Sequence, residues 1–409
     1  MRSAEKTEDM CRQCGVCTEI VACPSGQVGN TSECTGCGAC SITCPYEAIQ
    51  MKQRSKAKEV RIKIDGENYS VPEKITVRKA VELAGYATSR FPGEGDLFVP
   101  CEVGGCWSCV VEIDQEVKPS CVTRVEDRIE VRTELPKDYV SKRLVHGWMG
   151  HSVGGAGTPW NLKNTHGYVE AAVFACGCNL RCPQCQNWTT TYCGKETVLS
   201  PKEAAAEMTA TRRRYHVDRM AISGGESTLN RPWLTQYIME LKRLNQDPKA
   251  RFHLDTNASI LTKDYVDELV EAGMTDVGPD LKGLRADTFI RITGLQDRDL
   301  AEKYQRTSWE AVKYLIDRYR DKVFIGIGIP FNKDLISMQE IYEMGERISM
   351  IDPEIQVCVL DYRPEFRARN ISRPSYGEMV KVWKALNGAG LRTVICQTER
   401  GHIGPRLEN

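Results

Sequence analysis

The sequence contains no run long and apolar enough to cross a bilayer, which excludes a helical membrane-spanning protein. Its start, Met1-Arg2-Ser3-Ala4-Glu5-Lys6-Thr7-Glu8-Asp9-Met10, lacks the apolar core of a secretory signal, so a cytoplasmic location with reduced thiols is expected. It also lacks an excess of charge of either sign. Lys plus Arg number 55 and Asp plus Glu number 55, so no global field favours nucleic acid or a membrane surface. The one basic cluster, Arg212-Arg213-Arg214, reads as the solvated end of a helix, where cations suit the dipole. Cysteine, by contrast, is abundant. Nineteen of them in 409 residues, in a reducing compartment, point to metal ligation before disulfides. The length, with 41% hydrophobic residues, suits two or three soluble domains.

The cysteines fall into spaced sets. Cys178, Cys182 and Cys185 have C-x3-C-x2-C spacing, and three thiolates on a four-iron cubane leave one iron open to a ligand that is not protein. A zinc knuckle is the competing reading, with Cys176 or Cys193 as its fourth ligand. Upstream, Cys34, Cys37, Cys40 and Cys44-Pro45 follow C-x2-C-x2-C-x3-C-P without departure. An earlier copy, Cys11, Cys14, Cys17 and Cys23-Pro24, differs only in its longer last gap. A further set has C-x4-C-x2-C spacing at Cys101, Cys106 and Cys109, with Cys121 at a distance.

Periodicity places these sets in modules. After a basic link over Lys52–Lys58, Val60–Ile64 alternates like a strand and Asp65-Gly66 makes a hairpin turn. Asn68–Val71 returns, Thr76–Ala84 is helical up to Gly85, and Val110–Ile113 is another strand. Residues 135–164 read as a connector, with His146 and His151 as polar surface. Its glycine-rich run, Gly154-Gly155-Ala156-Gly157-Thr158-Pro159, lacks the Lys-Ser/Thr ending of a phosphate-binding loop, and a lid is the other use for it.

From Tyr168 onward strands alternate with helices. Strands are expected at Tyr168–Ala175, Arg219–Ser223, Arg251–Thr256, Asp276–Leu281, Lys322–Ile329 and Gln356–Leu360. Helices are expected after Ser200 and at Lys263–Ala272, Ser308–Arg320 and Ser337–Ser349. Six βα units predict a parallel sheet curved into an incomplete (β/α)6 barrel with its site at the strands' C-terminal ends. The unusual polar residues fall there: Ser223-Gly224-Gly225-Glu226, Asp255-Thr256-Asn257, Asp280-Leu281-Lys282 and Asp361-Tyr362-Arg363.

The cysteine triad and this ordered edge resemble the radical S-adenosylmethionine (SAM) superfamily. Over roughly residues 165–405 they resemble its pyruvate formate-lyase activating enzymes. The resemblance implies that SAM chelates the open iron of a [4Fe-4S] cluster on Cys178, Cys182 and Cys185 and is cleaved to a 5'-deoxyadenosyl radical. Gly224, Gly225 and Glu226 would receive its ammonium, with Ser223 of the same run among the cofactor-binding residues, and Lys282 with Arg363 its carboxylate. Asp255 and Asp280 would order the same edge, with a monovalent cation as an added partner. The paired motifs resemble bacterial dicluster ferredoxins, which implies crossed ligation: Cys11, Cys14, Cys17 and Cys44 for one [4Fe-4S] cluster, Cys34, Cys37, Cys40 and Cys23 for the other. Residues 59–134 resemble a plant-type β-grasp ferredoxin, implying a [2Fe-2S] cluster on Cys101, Cys106, Cys109 and Cys121.

The expected architecture is therefore a dicluster module (1–52), a β-grasp ferredoxin domain (59–134), a linker (135–164) and a partial (β/α)6 radical SAM barrel (165–409). Three uses follow: activation of a glycine in a protein partner, turnover of a small molecule or another macromolecule, and electron transfer alone. Any of them accommodates an external electron donor, and none calls for nucleic acid or membrane. The Gly-Pro-Gly-Ile-Arg run common in activating enzymes is missing before the triad, which leaves the target open.

Overall fold

The computed structural model describes residues 1–54, 58–152 and 154–405. They form two compact units: residues 1–146, 175–179 and 187–200, and residues 147–174, 180–186 and 201 onward. The link expected over Lys52–Lys58 falls partly on 55–57, outside the described residues.

In the first unit, β1 (Arg2–Lys6) pairs antiparallel with β2 (Ile49–Gln53). Between them are ligand loops and two one-turn helices, Val16–Glu19 and Ala39–Thr43. Each helix opens on a left-handed glycine, Gly15 at φ 77° and Gly38 at φ 83°, so the sequence repeat is also a repeat of local structure.

Next comes the β-grasp. Strands β3 (Glu59–Ile64) and β4 (Glu67–Pro72) are joined by Asp65-Gly66 at φ 47° and 92°, the pair of positive angles that matches strand twist. Helix α1 (Val77–Leu83) is capped by Thr76, whose hydroxyl accepts from Lys79 N at 3.2 Å. Strands β5 (Val110–Ile113), β6 (Glu116–Pro119) and β7 (Glu130–Arg132) complete a sheet of order β4-β3-β7-β5-β6. Ile62, Ile64, Val71, Val111 and Val131 bury their side chains in one core with Val77, Ala80 and Val81 of the helix. Each large aliphatic contributes roughly 1.5–3 kcal/mol.

Strand β8 (Arg143–His151) belongs to the first unit up to His146 and to the second from Gly147. The second unit continues with β9 (Glu170–Ala175), all but its last residue, and then alternates helix and strand. Helix α2 (Pro201–Tyr215) leads to β10 (Arg219–Gly224), α3 (Arg231–Leu244) to β11 (Arg251–Thr256), and α4 (Lys263–Ala272) to β12 (Asp276–Pro279). Two helices, α5 (Ala286–Thr293) and α6 (Arg298–Tyr319), precede β13 (Phe324–Phe331). Helix α7 (Met338–Ser349) precedes β14 (Gln356–Asp361), and α8 (Tyr376–Gly388) precedes β15 (Thr393–Thr398) and β16 (Gly401–Ile403). Each strand from β10 to β14 pairs in parallel with the next, and β16 returns antiparallel to β15.

This is the radical SAM α/β fold, with two departures from the sequence reading. The sheet gains a further parallel strand, Thr393–Thr398, beyond the six expected. Residues 135–164 are more than a connector: they hold β8, a short helix at Trp160–Lys163 and, between them, a segment lying on the strands. A Cβ on Gly157 would fall 2.6 Å from Gly278 N and 2.7 Å from His253 Nε2. Gln356 Nε2 donates to Ala156 O (3.1 Å) and Thr158 O (2.8 Å), and Lys163 Nζ donates to Gly154 O (2.9 Å) and Gly155 O (3.1 Å). Buried carbonyls need such donors. The run is a packing segment of the barrel, and the connector and lid readings give way to it.

Candidate functional site

The cysteines gather in the sets expected from spacing. Burial pushes the Cys17 thiol up, and Cys14, Cys44 and Cys11 add to the shift, so the distant Cys44 stands with the first motif. Burial likewise raises Cys40 to about 12, with Cys37, Cys34 and Cys23 contributing. Cys44 is thus an electrostatic neighbour of the first motif and Cys23 of the second. A cavity of about 500 Å³ is lined by Cys17 and Cys23, one from each quartet, together with Val122 and Lys195. Backbone N–H groups of Ala4 and Gly36 point at Cys34 Sγ, at 3.3 and 3.4 Å, as donors to a cluster thiolate would.

Cys101, Cys106, Cys109 and Cys121 are all buried, with Cys106 Sγ 3.1 Å from Cys101 Sγ. Ser120 N donates to Cys109 O at 3.0 Å and holds Cys121 beside it. Among the described residues no group of three or more His, Cys, Asp or Glu is arranged around a single ion.

The triad follows β9. Cys178 is buried, and Cys182 and Cys185 are half-buried. Within the second unit the loop is fixed from two sides. Arg181 N donates to Thr293 O (2.8 Å) and Gln184 Nε2 to Ile292 O (2.8 Å), while Arg367 N and Ala368 N both reach Pro183 O at 2.9 Å. Gly294, at the end of α5, is the place where a side chain would strike Arg181 O.

The edge residues come to the same end of the sheet. Lys282 is nearly fully buried, and its Nζ lies 3.1 Å from Asp280 Oδ2 and 3.3 Å from Tyr362 Oη. Burial opposes its charge, but Asp280 and then Tyr362 and Cys182 hold its pKa well above that of an ordinary lysine. Burial raises Cys182 to about 12 against the pull of the Lys282 charge, so the two lie within electrostatic reach of each other. Arg363 is half-buried and makes no hydrogen bond or ion pair to another described residue.

Glu226 has a different task from its neighbours. Its fully buried carboxylate accepts from Thr228 N (3.0 Å), Thr228 Oγ1 (2.6 Å), Thr256 Oγ1 (2.6 Å) and Asn257 N (2.6 Å). It latches the loop after β10 to the loop after β11, with Ser223, Gly224 (φ 111°) and Gly225 half-buried beside it. The cation expected at Asp255 and Asp280 finds both carboxylates already facing protein cations: His253 Nε2 is 3.0 Å from Asp255 Oδ1, and Lys282 holds Asp280.

Sequence reasoning missed the buried ionic group beneath this edge. Arg219 Nη1 meets Asp276 Oδ1 at 2.7 Å, and its Nε is 3.4 Å from Glu170 Oε2. These side chains sit at strand positions where a charge is legible only as an interruption of an apolar run. Tyr362 and Asn257 were visible as neighbours of named residues, without a role. Trp188 is half-buried at the start of a short helix. Cys176 and Cys358 are fully buried, as expected of core residues.

Comparison with known proteins agrees with this layout. Residues 173–344 match the radical SAM superfamily, 57–136 the 2Fe-2S iron-sulfur cluster binding domain and 28–50 the 4Fe-4S binding domain. The chain thus carries a radical SAM domain preceded by 4Fe-4S and 2Fe-2S ferredoxin domains. Among curated proteins it is similar to a component of NADH-quinone oxidoreductase from Mycobacterium bovis, 39% identical over 22% of this chain and 11% of that one. It is also similar to GTP 3',8-cyclase of Listeria monocytogenes, 27% identical over 59% of this chain and 67% of that one. AdoMet-dependent heme synthase of Methanosarcina barkeri is 30% identical over 29% of this chain and 32% of that one. Among solved structures, coproporphyrinogen III oxidase from Escherichia coli aligns with a TM-score of 0.34 at 14% identity, covering 46% of this chain and 44% of that one. The chain spans 11% of the length of the first of these relatives.

Proposed function

We propose that this chain is an iron-sulfur enzyme that cleaves SAM reductively and uses the resulting 5'-deoxyadenosyl radical to abstract hydrogen, with its N-terminal clusters passing electrons to the radical site. The observation that carries the reading is the buried Lys282 ammonium, held by Asp280 and Tyr362 within electrostatic reach of Cys182, with Arg363 just past the end of β14. A zwitterionic amino acid chelating iron at the triad needs cations for its carboxylate at that place. For its ammonium the chain offers the Ser223-Gly224-Gly225 backbone, held in position by the Glu226 latch. Three [4Fe-4S] clusters and one [2Fe-2S] cluster account for fifteen of the cysteines, and the bound clusters and SAM supply the electron and the radical.

Two targets compete. Two of the curated relatives just named are, by their names, a cyclase of GTP and a synthase of heme, which favours a small-molecule substrate turned over many times. The order of edge residues, from Gly-Gly-Glu to Arg363, favours the activating-enzyme reading, in which a glycine of a protein partner is the target. Anaerobic reconstitution with dithionite and SAM tests the common core. About fourteen irons per chain with methionine and 5'-deoxyadenosine formed supports it; iron without cleavage leaves only electron transfer. With a target supplied, one SAM per target chain marks an activase and repeated turnover marks the small-molecule reading.

A further inference from the structure

Two glycines in the first unit have almost no room around them. A Cβ on Gly105, between the two-iron ligands Cys101 and Cys106, would fall 2.8 Å from Gly177 N, 2.9 Å from Cys176 Cβ and 2.6 Å from Cys193 O. A Cβ on Gly177 would fall 2.8 Å from Cys106 N, 3.0 Å from Cys106 Cβ and 3.1 Å from Cys101 Cβ. The two-iron ligand loop and the residues that immediately precede Cys178 are therefore in backbone contact, with no side chain between them. Hydrogen bonds tie the same two stretches together. Leu144 N donates to Gly105 O (3.3 Å), and Cys176 N donates to Leu144 O (3.1 Å). The buried Arg143 guanidinium adds a bond from Nη2 to Cys176 O at 3.1 Å.

Close approach of this kind costs backbone entropy, and Gly177 also takes the left-handed angle (φ 86°). We propose that Gly105 and Gly177 make the electron-transfer contact of this protein, so that the two-iron site, and not the dicluster module, exchanges electrons directly with the cluster on Cys178. One electron leaves the reduced two-iron centre, which is oxidised by one unit, and the four-iron centre gains it. No proton or atom moves. The two-iron centre is refilled from the dicluster module or from a low-potential one-electron donor protein. The dicluster module meets the two-iron ligand loop at Gly194: Gly194 N donates to Ile20 O (2.8 Å), and a Cβ on Gly194 would meet Val103 O and, at 3.0 Å, Ala22 Cβ.

The inference rests on the reading that Cys178, Cys182 and Cys185 hold the SAM-cleaving cluster. The test uses the reconstituted full chain reduced with dithionite and compares spin relaxation of the two-iron EPR signal in the wild type and in Cys182→Ser. Loss of the triad cluster slows that relaxation severalfold if the sites adjoin; equal relaxation in both overturns the contact. In Gly105→Ala, which has no positive φ to strain, the two-iron signal persists while electron passage to the triad cluster, followed by rapid-freeze EPR, slows severalfold. An unchanged rate overturns the glycines' role. If Gly105→Ala loses its two-iron centre, the Cys182→Ser comparison still decides adjacency. SAM cleavage without spin interaction sinks the contact and spares the enzyme reading. Spin interaction without cleavage does the reverse.

Discussion

His253 Nε2 stands 3.0 Å from Asp255 Oδ1, two positions along the same strand, with Glu170 Oε2 3.9 Å from its other nitrogen. Burial disfavours the imidazolium, but Asp255 and Glu170 overcome it and raise the pKa to about 9, with Arg219 opposing. A raised pKa means the folded state binds the proton more tightly than the unfolded one. The stabilisation is complete below about pH 6.5, and it is lost as pH rises through about 9. Thermal midpoints should therefore fall between pH 7 and 10 in the wild type. The fall should be shallower in His253→Gln, and equal slopes would show that the pair does not titrate.

Cys182→Ala should abolish SAM cleavage while keeping the ferredoxin iron. Iron and sulfide per chain should drop by one four-iron cluster. Loss of all iron would sink the ligand assignment.

Removing the latch should loosen two loops at once. Glu226→Ala leaves Thr228 N and Asn257 N buried without an acceptor, at about 1–3 kcal/mol for each group. Urea unfolding should show that loss, and isothermal titration should show weaker SAM binding. Glu226→Gln should recover part of both, because an amide oxygen still accepts.

Lys282→Met should weaken SAM binding by roughly tenfold or more, the equivalent of one charge-assisted hydrogen bond at about 1.5–3 kcal/mol. Arg363→Met should act in the same direction, and its effect on folding should be small because no described residue pairs with its charge. Equal affinity in both variants would move the carboxylate site elsewhere.

Much of this was legible because ligand spacing is local. Cys34 to Cys44 and Cys101 to Cys109 announce their clusters within a dozen residues, and the Asp65-Gly66 turn and Thr76 cap sit beside the elements they punctuate. The polar ends of the strands were legible for the same reason, since strand and residue are contiguous. What stayed hidden depends on distant partners. Gly157 looks like loose linker until Gly278 and His253, about a hundred residues on, are seen against it. Glu226 reads as a ligand for ammonium until Thr256 and Asn257 claim its oxygens. Thr393–Thr398 went unread although its burial matches that of its neighbours.

The segment from Gly154 to Thr158 lies on β11 to β14, with Gly278 and Gly326 bare where its backbone passes. It precedes every one of those strands in the chain. During synthesis it is therefore present before the sheet that closes on it, and each new strand can add to a template already made. A rearranged chain carrying residues 154–163 at its C-terminus would have to insert this segment into a finished sheet. Such a chain should refold far more slowly than the natural order, with little change in final stability.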